Sequence, residues 1–80
     1  MKTGTIYQIQ GSVIDVQFDA TTLPKVFDAC FVEKDNQKLI LEVEQLLPNS
    51  IARCLAMEDT DGLKRGQMVF NLEHPIEVPV

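Results

Sequence analysis

Alternation of apolar and polar residues at every second position is the feature that most constrains the fold of this chain. In one such run, Ile14, Val16 and Phe18 share one face, while Asp15 and Gln17 point the other way. A strand with one buried face has this period of two, whereas a helix repeats near 3.6 residues. The pattern therefore predicts half-buried β-strands.

A second run, Lys38–Glu44, also places its leucines and valine on one face and its charged residues on the other. Extended to Leu47, the same segment would satisfy a helical period. The turn residues Asp35-Asn36 and Pro48-Asn49 bracket the run at strand length, and no capping residue opens a helix. We therefore expect a strand.

Short runs of this kind recur along the whole chain with turn signals between them. We expect seven strands, at 5–10, 13–18, 27–33, 38–44, 51–57, 67–71 and 76–80. Such spacing predicts an all-β fold, either a small antiparallel barrel or a sandwich. The barrel is favoured, because 80 residues cannot form two well-covered sheets and closure removes exposed strand edges.

The connections carry their own signals. We expect Gly11-Ser12 to form a bend or bulge within a continuing strand, and Lys34–Gln37 to form a hairpin turn. Pro24 keeps Thr21–Pro24 a loop. The segment Asp61–Gly66 predicts a turn that needs positive φ at two points, although its basic residues leave weak anion binding conceivable.

Composition limits the classes of protein to consider. The chain is 45% hydrophobic and 24% charged, which is typical of one globular domain. Its apolar stretches are far shorter than the roughly 20 residues that span a bilayer. A net charge of -5 argues against nucleic acid as a partner, because phosphate binding needs a basic surface.

The two cysteines, Cys30 and Cys54, allow one disulfide. Because the amino terminus lacks a secretory signal, we expect two reduced, structural cysteines on strands instead. A zinc site is disfavoured, since His74 is the only other soft ligand and Pro75 restricts the backbone beside it.

No residue pattern for catalysis or cofactor binding emerges. The four glycines match neither GxxxxGK[ST] nor GxGxxG. Glu42 and Glu44 lie on the polar face of a strand, where solvated charges are expected, and Asp59 and Asp61 are too few oxygen ligands for a Ca²⁺ loop. We therefore predict no catalytic, cofactor-binding or metal-ligating residue in this segment.

Six motifs, in order and in register, resemble the N-terminal β-barrel domain of the β subunit of the F-type ATP synthase, in its bacterial form. The resemblance covers nearly the whole chain, although each motif is weak alone. The matching segments are Gly4–Phe18, Leu23–Ala29, Leu39–Val43, Ile51–Met57, Asp61–Gly66 and Pro75–Val80.

The resemblance implies a closed six-stranded antiparallel barrel over residues 1–80, at the crown of the catalytic head, with the nucleotide-binding and C-terminal domains absent from this chain. Its partners would be α subunit barrels in an alternating hetero-hexamer, without direct membrane insertion. The parent would synthesise ATP using an ion gradient, with ATP, ADP and Mg²⁺ bound elsewhere, at the cytoplasmic face of the bacterial inner membrane.

Two alternatives remain open from the sequence. One is the equivalent barrel of a related secretion-system or vacuolar-type ATPase. The other is a free-standing barrel that acts as a non-catalytic adapter. An assembly domain needs outward apolar residues, and Ile40, Val13 and Tyr7 are the candidates, provided that they cluster into a patch.

Overall fold

The computed structural model describes residues 1–76, and these form six β-strands closed into an antiparallel barrel. The order around the barrel is β1-β2-β5-β4-β3-β6, and β6 pairs with β1 to close it. The expected all-β fold and closed six-stranded barrel are confirmed. The strands are β1 Thr3–Gln10, β2 Val13–Gln17, β3 Asp28–Lys34, β4 Gln37–Leu47, β5 Ile51–Ala56 and β6 Met68–Pro75.

The barrel interior is filled by the inward faces that the alternation predicts. Ile14 and Val16 on β2 are completely buried, as are Leu41 and Val43 on β4. Strand β4 extends through Leu47, so the helical alternative for this segment is excluded. The remaining buried core residues are Ile6, Phe18, Cys30, Val32, Leu39, Ala52, Cys54, Ala56, Leu63 and Val69.

Two core residues come from outside the strands. Phe18 follows β2, and its ring packs against the backbone of Gly4 so closely that a Cβ on Gly4 would lie 2.7 Å from the ring. Leu63 lies in the long β5–β6 loop and is buried in the same core. The loop is tied to β1, because Ile6 N–H donates to Gln67 O and Gly66 N–H donates to Ile6 O.

Two connections between strands have the predicted turn, and a third differs from its prediction. Asp35 and Asn36 both adopt positive φ between β3 and β4, as a two-residue hairpin turn requires. Gly62 and Gly66 have φ of 90° and 85°, as expected for the β5–β6 turn. Gly11, however, with φ of 59°, is the first residue of a two-residue hairpin turn, so the expectation of a bend within one continuing strand was wrong.

The end of the chain also differs from the sequence-based expectation. The run predicted at 67–71 continues as the single strand β6, which runs from Met68 to Pro75. Within this strand Glu73 adopts a φ of 63° and donates its N–H to Asn71 Oδ1, and the pairing register with β3 shifts between Asp28 and Cys30. Of the strand predicted at 76–80, Ile76 is described and lies outside any strand, and the rest falls outside the described residues.

Among residues 1–76, no helix has the length and apolar character that crossing a membrane would require.

Candidate interaction surface

An apolar band crosses the outside of the barrel and is the first candidate for a functional surface. Val13 on β2 lies opposite Leu55 on β5, and Met57, two residues further along, donates its N–H to Ile40 O on β4. Ile40 in turn lies opposite Phe31 on β3, and Phe31 lies opposite Phe70 on β6. The outer apolar band therefore consists of Val13, Leu55, Met57, Ile40, Phe31 and Phe70.

The aromatic end of the outer apolar band is tightly organised. The rings of Phe31 and Phe70 stack with centroids 4.8 Å apart, and Lys38 Nζ lies 4.7 Å from the centroid of the Phe31 ring. These contacts leave Phe31 buried although it is on the outer face. Such aromatic and cation–π contacts hold the ring in one orientation, so this end of the band is preformed.

The other end of the outer apolar band is open to solvent. Leu55 and Met57 are both exposed, and Met57 exposes 46% of its surface. Val13 and Ile40 are half-buried, and both belong to the band, while their clustering into one large patch stays a prediction. Tyr7 lies apart from the band, on β1.

A small groove adjoins the aromatic end of the band. Ala29, Ile40, Leu72, His74 and Ile76 line it, and it encloses about 200 Å³. Its walls are mostly apolar side chains of β3, β4 and β6. The groove therefore enlarges the apolar surface that a partner could cover.

A second exposed apolar feature precedes β3. Val26 and Phe27 are both exposed, and Phe27 adopts a φ of 74°, which non-glycine residues rarely occupy. The Phe27 N–H donates to Val43 O at 2.7 Å, and the Asp28 carboxylate accepts a hydrogen bond from Lys25 N–H. The turn is thus held in place while its phenylalanine side chain stays in solvent.

A half-buried ion pair, Asp15 with Arg53, lies on the outer face between β2 and β5. Asp15 points outward as expected, yet it is only 5% exposed because Arg53 covers it. The Asp15 carboxylate raises the pKa of Arg53 through hydrogen bonding and charge attraction. This pair links two strands and leaves part of the guanidinium at the surface.

The remaining titratable residues weighed from the sequence do not converge on one site. Glu42 and Glu44 lie close together on β4, where a side-chain hydrogen bond with Glu42 raises the pKa of Glu44. The thiols of Cys30 and Cys54 are free and buried in the core. A hydrogen bond with Cys30, followed by burial, raises the pKa of the Cys54 thiol far above its ordinary range.

Residues 1–76 give no geometric support for a metal site. Among the described residues, no three His, Cys, Asp or Glu side chains come together as a metal site. His74 is exposed and its ring nitrogen contacts the neighbouring Pro75 carbonyl. The prediction that this segment holds no catalytic or cofactor residue stays a prediction.

Arg65, in the turn Asp61–Gly66, makes a contact that no sequence pattern predicts. Arg65 Nε donates to the backbone carbonyl of Tyr7 at 3.1 Å, across 58 positions of the chain. Tyr7 occupies a bulge in β1, where the register shifts between Ile6 and Gln8. The residues around Arg65 and Tyr7 do not predict this contact, because the bulge and the path of the loop both depend on tertiary pairing.

Comparison with known families agrees with this architecture. The family model described as ATP synthase alpha/beta family, beta-barrel domain, matches residues 6–72. The match runs from β1 into β6 and includes every residue of the outer apolar band.

Proposed function

Because this chain belongs to the ATP synthase alpha/beta family as its beta-barrel domain, we propose that it is the N-terminal crown domain of the catalytic β subunit of an F-type ATP synthase. Its role is assembly, which the family match supports at the level of an ATPase head. The sequence segments Asp28-Ala29 and Leu41-Glu42-Val43 favour the F-type β subunit over related ATPases.

The outer apolar band is the observation that carries an assembly role. It spans five strands, β2, β5, β4, β3 and β6, so it faces more than one side of the barrel. Outward apolar residues that neighbour one another on several strands are typical of surfaces that other proteins cover. A barrel in a ring needs such surface toward each neighbour, and the band supplies it.

The proposed partners are the barrels of α subunits in an alternating hetero-hexamer. A net charge of -5 makes copies of this chain repel one another, which disfavours a ring of identical barrels. The parent subunit would bind ATP, ADP and Mg²⁺ in a different domain and couple ATP synthesis to an ion gradient. Its proposed location is peripheral, on the cytoplasmic face of the bacterial inner membrane.

Sedimentation velocity with the α subunit barrel of the same organism tests this proposal. We expect the 80-residue chain to sediment as a monomer alone at micromolar concentration and to co-sediment with the α barrel. A stable homo-hexamer of this chain would contradict the alternating ring and favour a self-assembling barrel.

A pair of lysine substitutions tests whether the outer apolar band is the surface used. Leu55→Lys places a charge within the band, while Gln37→Lys places the same charge on an exposed residue outside it. We expect L55K to weaken association by at least tenfold, about 1.4 kcal/mol, and Q37K to leave it unchanged. Equal effects of both variants would mean that the band is not the interface.

A further inference from the structure

The edge of β1 that faces away from β2 is only partly covered. β6 pairs with β1 over Thr3–Thr5 alone, and no other described strand reaches this edge. The β5–β6 loop contacts β1 again at Ile6, through Gly66 and Gln67, and then contacts the β1–β2 turn at Gly11, whose carbonyl accepts a hydrogen bond from Thr60 Oγ1. Between these two attachments lies a gap of four residues, Tyr7 to Gln10, roughly 13 Å of strand, and Arg65 of the loop bonds only the first of them.

Backbone groups point into this gap. Gln10 and Val13 flank a two-residue turn, so they exchange hydrogen bonds with each other. One residue back, Ile9 is paired with Ile14 in the alternate position, where the backbone N–H and C=O are directed to the opposite edge. Ile9 therefore offers a donor and an acceptor on the open edge of β1.

The gap is also a cavity with a charged wall. It encloses about 410 Å³ and is lined by Tyr7, Gln8, Ile9, Leu63 and Arg65. Within residues 1–76, the one hydrogen bond of the Arg65 guanidinium is from Nε to the Tyr7 carbonyl, which fixes its orientation and leaves the Nη donors free. The phenol of Tyr7 is half exposed beside it.

We propose that this cavity is a binding site for a short extended peptide that carries a carboxylate side chain. The peptide backbone pairs with Ile9 as an added strand, while its carboxylate accepts hydrogen bonds from the free edge of Arg65. The lining contains a cation and no acid, although the chain as a whole is acidic, so the charge preference is local. This site lies on β1 and the β5–β6 loop, apart from the outer apolar band, and does not depend on the proposed function.

Nuclear magnetic resonance with two matched pentapeptides tests the site. The probes are acetyl-Thr-Val-Glu-Val-Thr-amide and the same peptide with glutamine in place of glutamate. We expect the glutamate peptide to shift the Ile9 amide and the Arg65 Nε–H in a saturable manner, with at least fivefold tighter binding than the glutamine peptide.

Two neighbouring substitutions locate the charge recognition. Arg65→Gln should abolish the preference for glutamate, while the Ile9 amide still shifts with either peptide. Lys64→Gln removes an adjacent exposed charge that does not line the cavity, and it should retain the preference. Both variants should give dispersed amide spectra, which indicate a folded chain, because both substituted residues are exposed.

Three results would overturn the proposal. The first is an Ile9 amide that neither peptide shifts, and the second is equal affinity of the unmodified chain for the two peptides. The third is loss of the glutamate preference in K64Q to the same extent as in R65Q, since that would indicate diffuse attraction to a basic turn.

Discussion

Asp15 and Arg53 lie directly opposite each other on β2 and β5 and form a two-point ion pair. Arg53 Nε donates to Asp15 Oδ1 at 3.0 Å, and Nη2 donates to Oδ2 at 3.1 Å. The Asp15 side chain is 7% exposed and that of Arg53 is 42% exposed. Arg53 therefore shields the Asp15 carboxylate from water and donates hydrogen bonds to it.

Removing the arginine should cost more than removing both charges. Arg53→Met leaves the largely buried Asp15 carboxylate without its partner, so we expect a loss of stability, smaller than for a fully buried pair because Arg53 is partly solvated. The double variant D15N/R53M should be more stable than R53M alone. Urea unfolding of the four proteins in the cycle measures this, with Arg65→Met as an exposed arginine control expected to change stability by less than about 0.5 kcal/mol.

Gly4 is required by space and not by backbone conformation. A Cβ there would lie 2.6 Å from Gln17 O and 2.7 Å from Phe18 Cδ1, and the first of these neighbours is backbone. We expect Gly4→Ala to lower the free energy of unfolding by about 1–3 kcal/mol, as overpacking in a core does. Gly62→Ala is the matched control, because its Cβ meets nothing within 4 Å and its cost is limited to the strain of positive φ, about 1 kcal/mol. A smaller loss for G4A than for G62A would contradict this account.

Local pattern was sufficient for the parts of the fold where one face of a strand is buried. The alternation placed Leu39, Leu41 and Val43 on the inner face, and all three are buried. The hairpin turn at Asp35-Asn36 could also be predicted from its sequence, because few residue pairs accept two consecutive positive φ angles.

Features that depend on pairing partners could not be read in this way. Asp15 looked like a solvated residue, since nothing in its own segment reveals that Arg53 lies across from it. Phe31 is covered although it points outward, because Phe70 stacks on it from β6. The bulge at Tyr7 depends on the register between β1 and β2, which sequence alternation alone leaves undetermined.

Nucleotide binding is predicted to be absent from this chain. Phosphate cradles need consecutive backbone N–H groups supplied by closely spaced glycines, and Gly4, Gly11, Gly62 and Gly66 are scattered. Isothermal titration of the 80-residue chain with Mg-ATP should give no saturable heat. A dissociation constant tighter than about 100 µM would refute the prediction and would place a nucleotide site outside the domain proposed to carry it.

The Cys54 thiol should make the stability of the barrel fall at alkaline pH. Its pKa in the folded state is raised by the hydrogen bond with Cys30 and by burial, while in the unfolded chain it returns to about 8.5. Above that pH the unfolded state releases a proton that the folded state retains, so folding loses stability as pH rises. Below it both states hold the proton, and the stability contribution of the neutral thiol is complete.

Comparison with Cys54→Ala removes this titration and leaves in place the titratable groups outside the Cys30 and Cys54 pair. The variant loses a buried sulfur and should be less stable at pH 7 by about 1 kcal/mol, yet it lacks the ionisable group. The stability advantage of the natural chain should therefore shrink by about 1.4 kcal/mol per pH unit above pH 8.5, and the two urea midpoints should converge or cross near pH 9–10. Parallel stability curves from pH 7 to pH 10 would show that Cys54 ionises as readily in the barrel as in the unfolded chain. In that case the core around Cys30 and Cys54 would have to admit water.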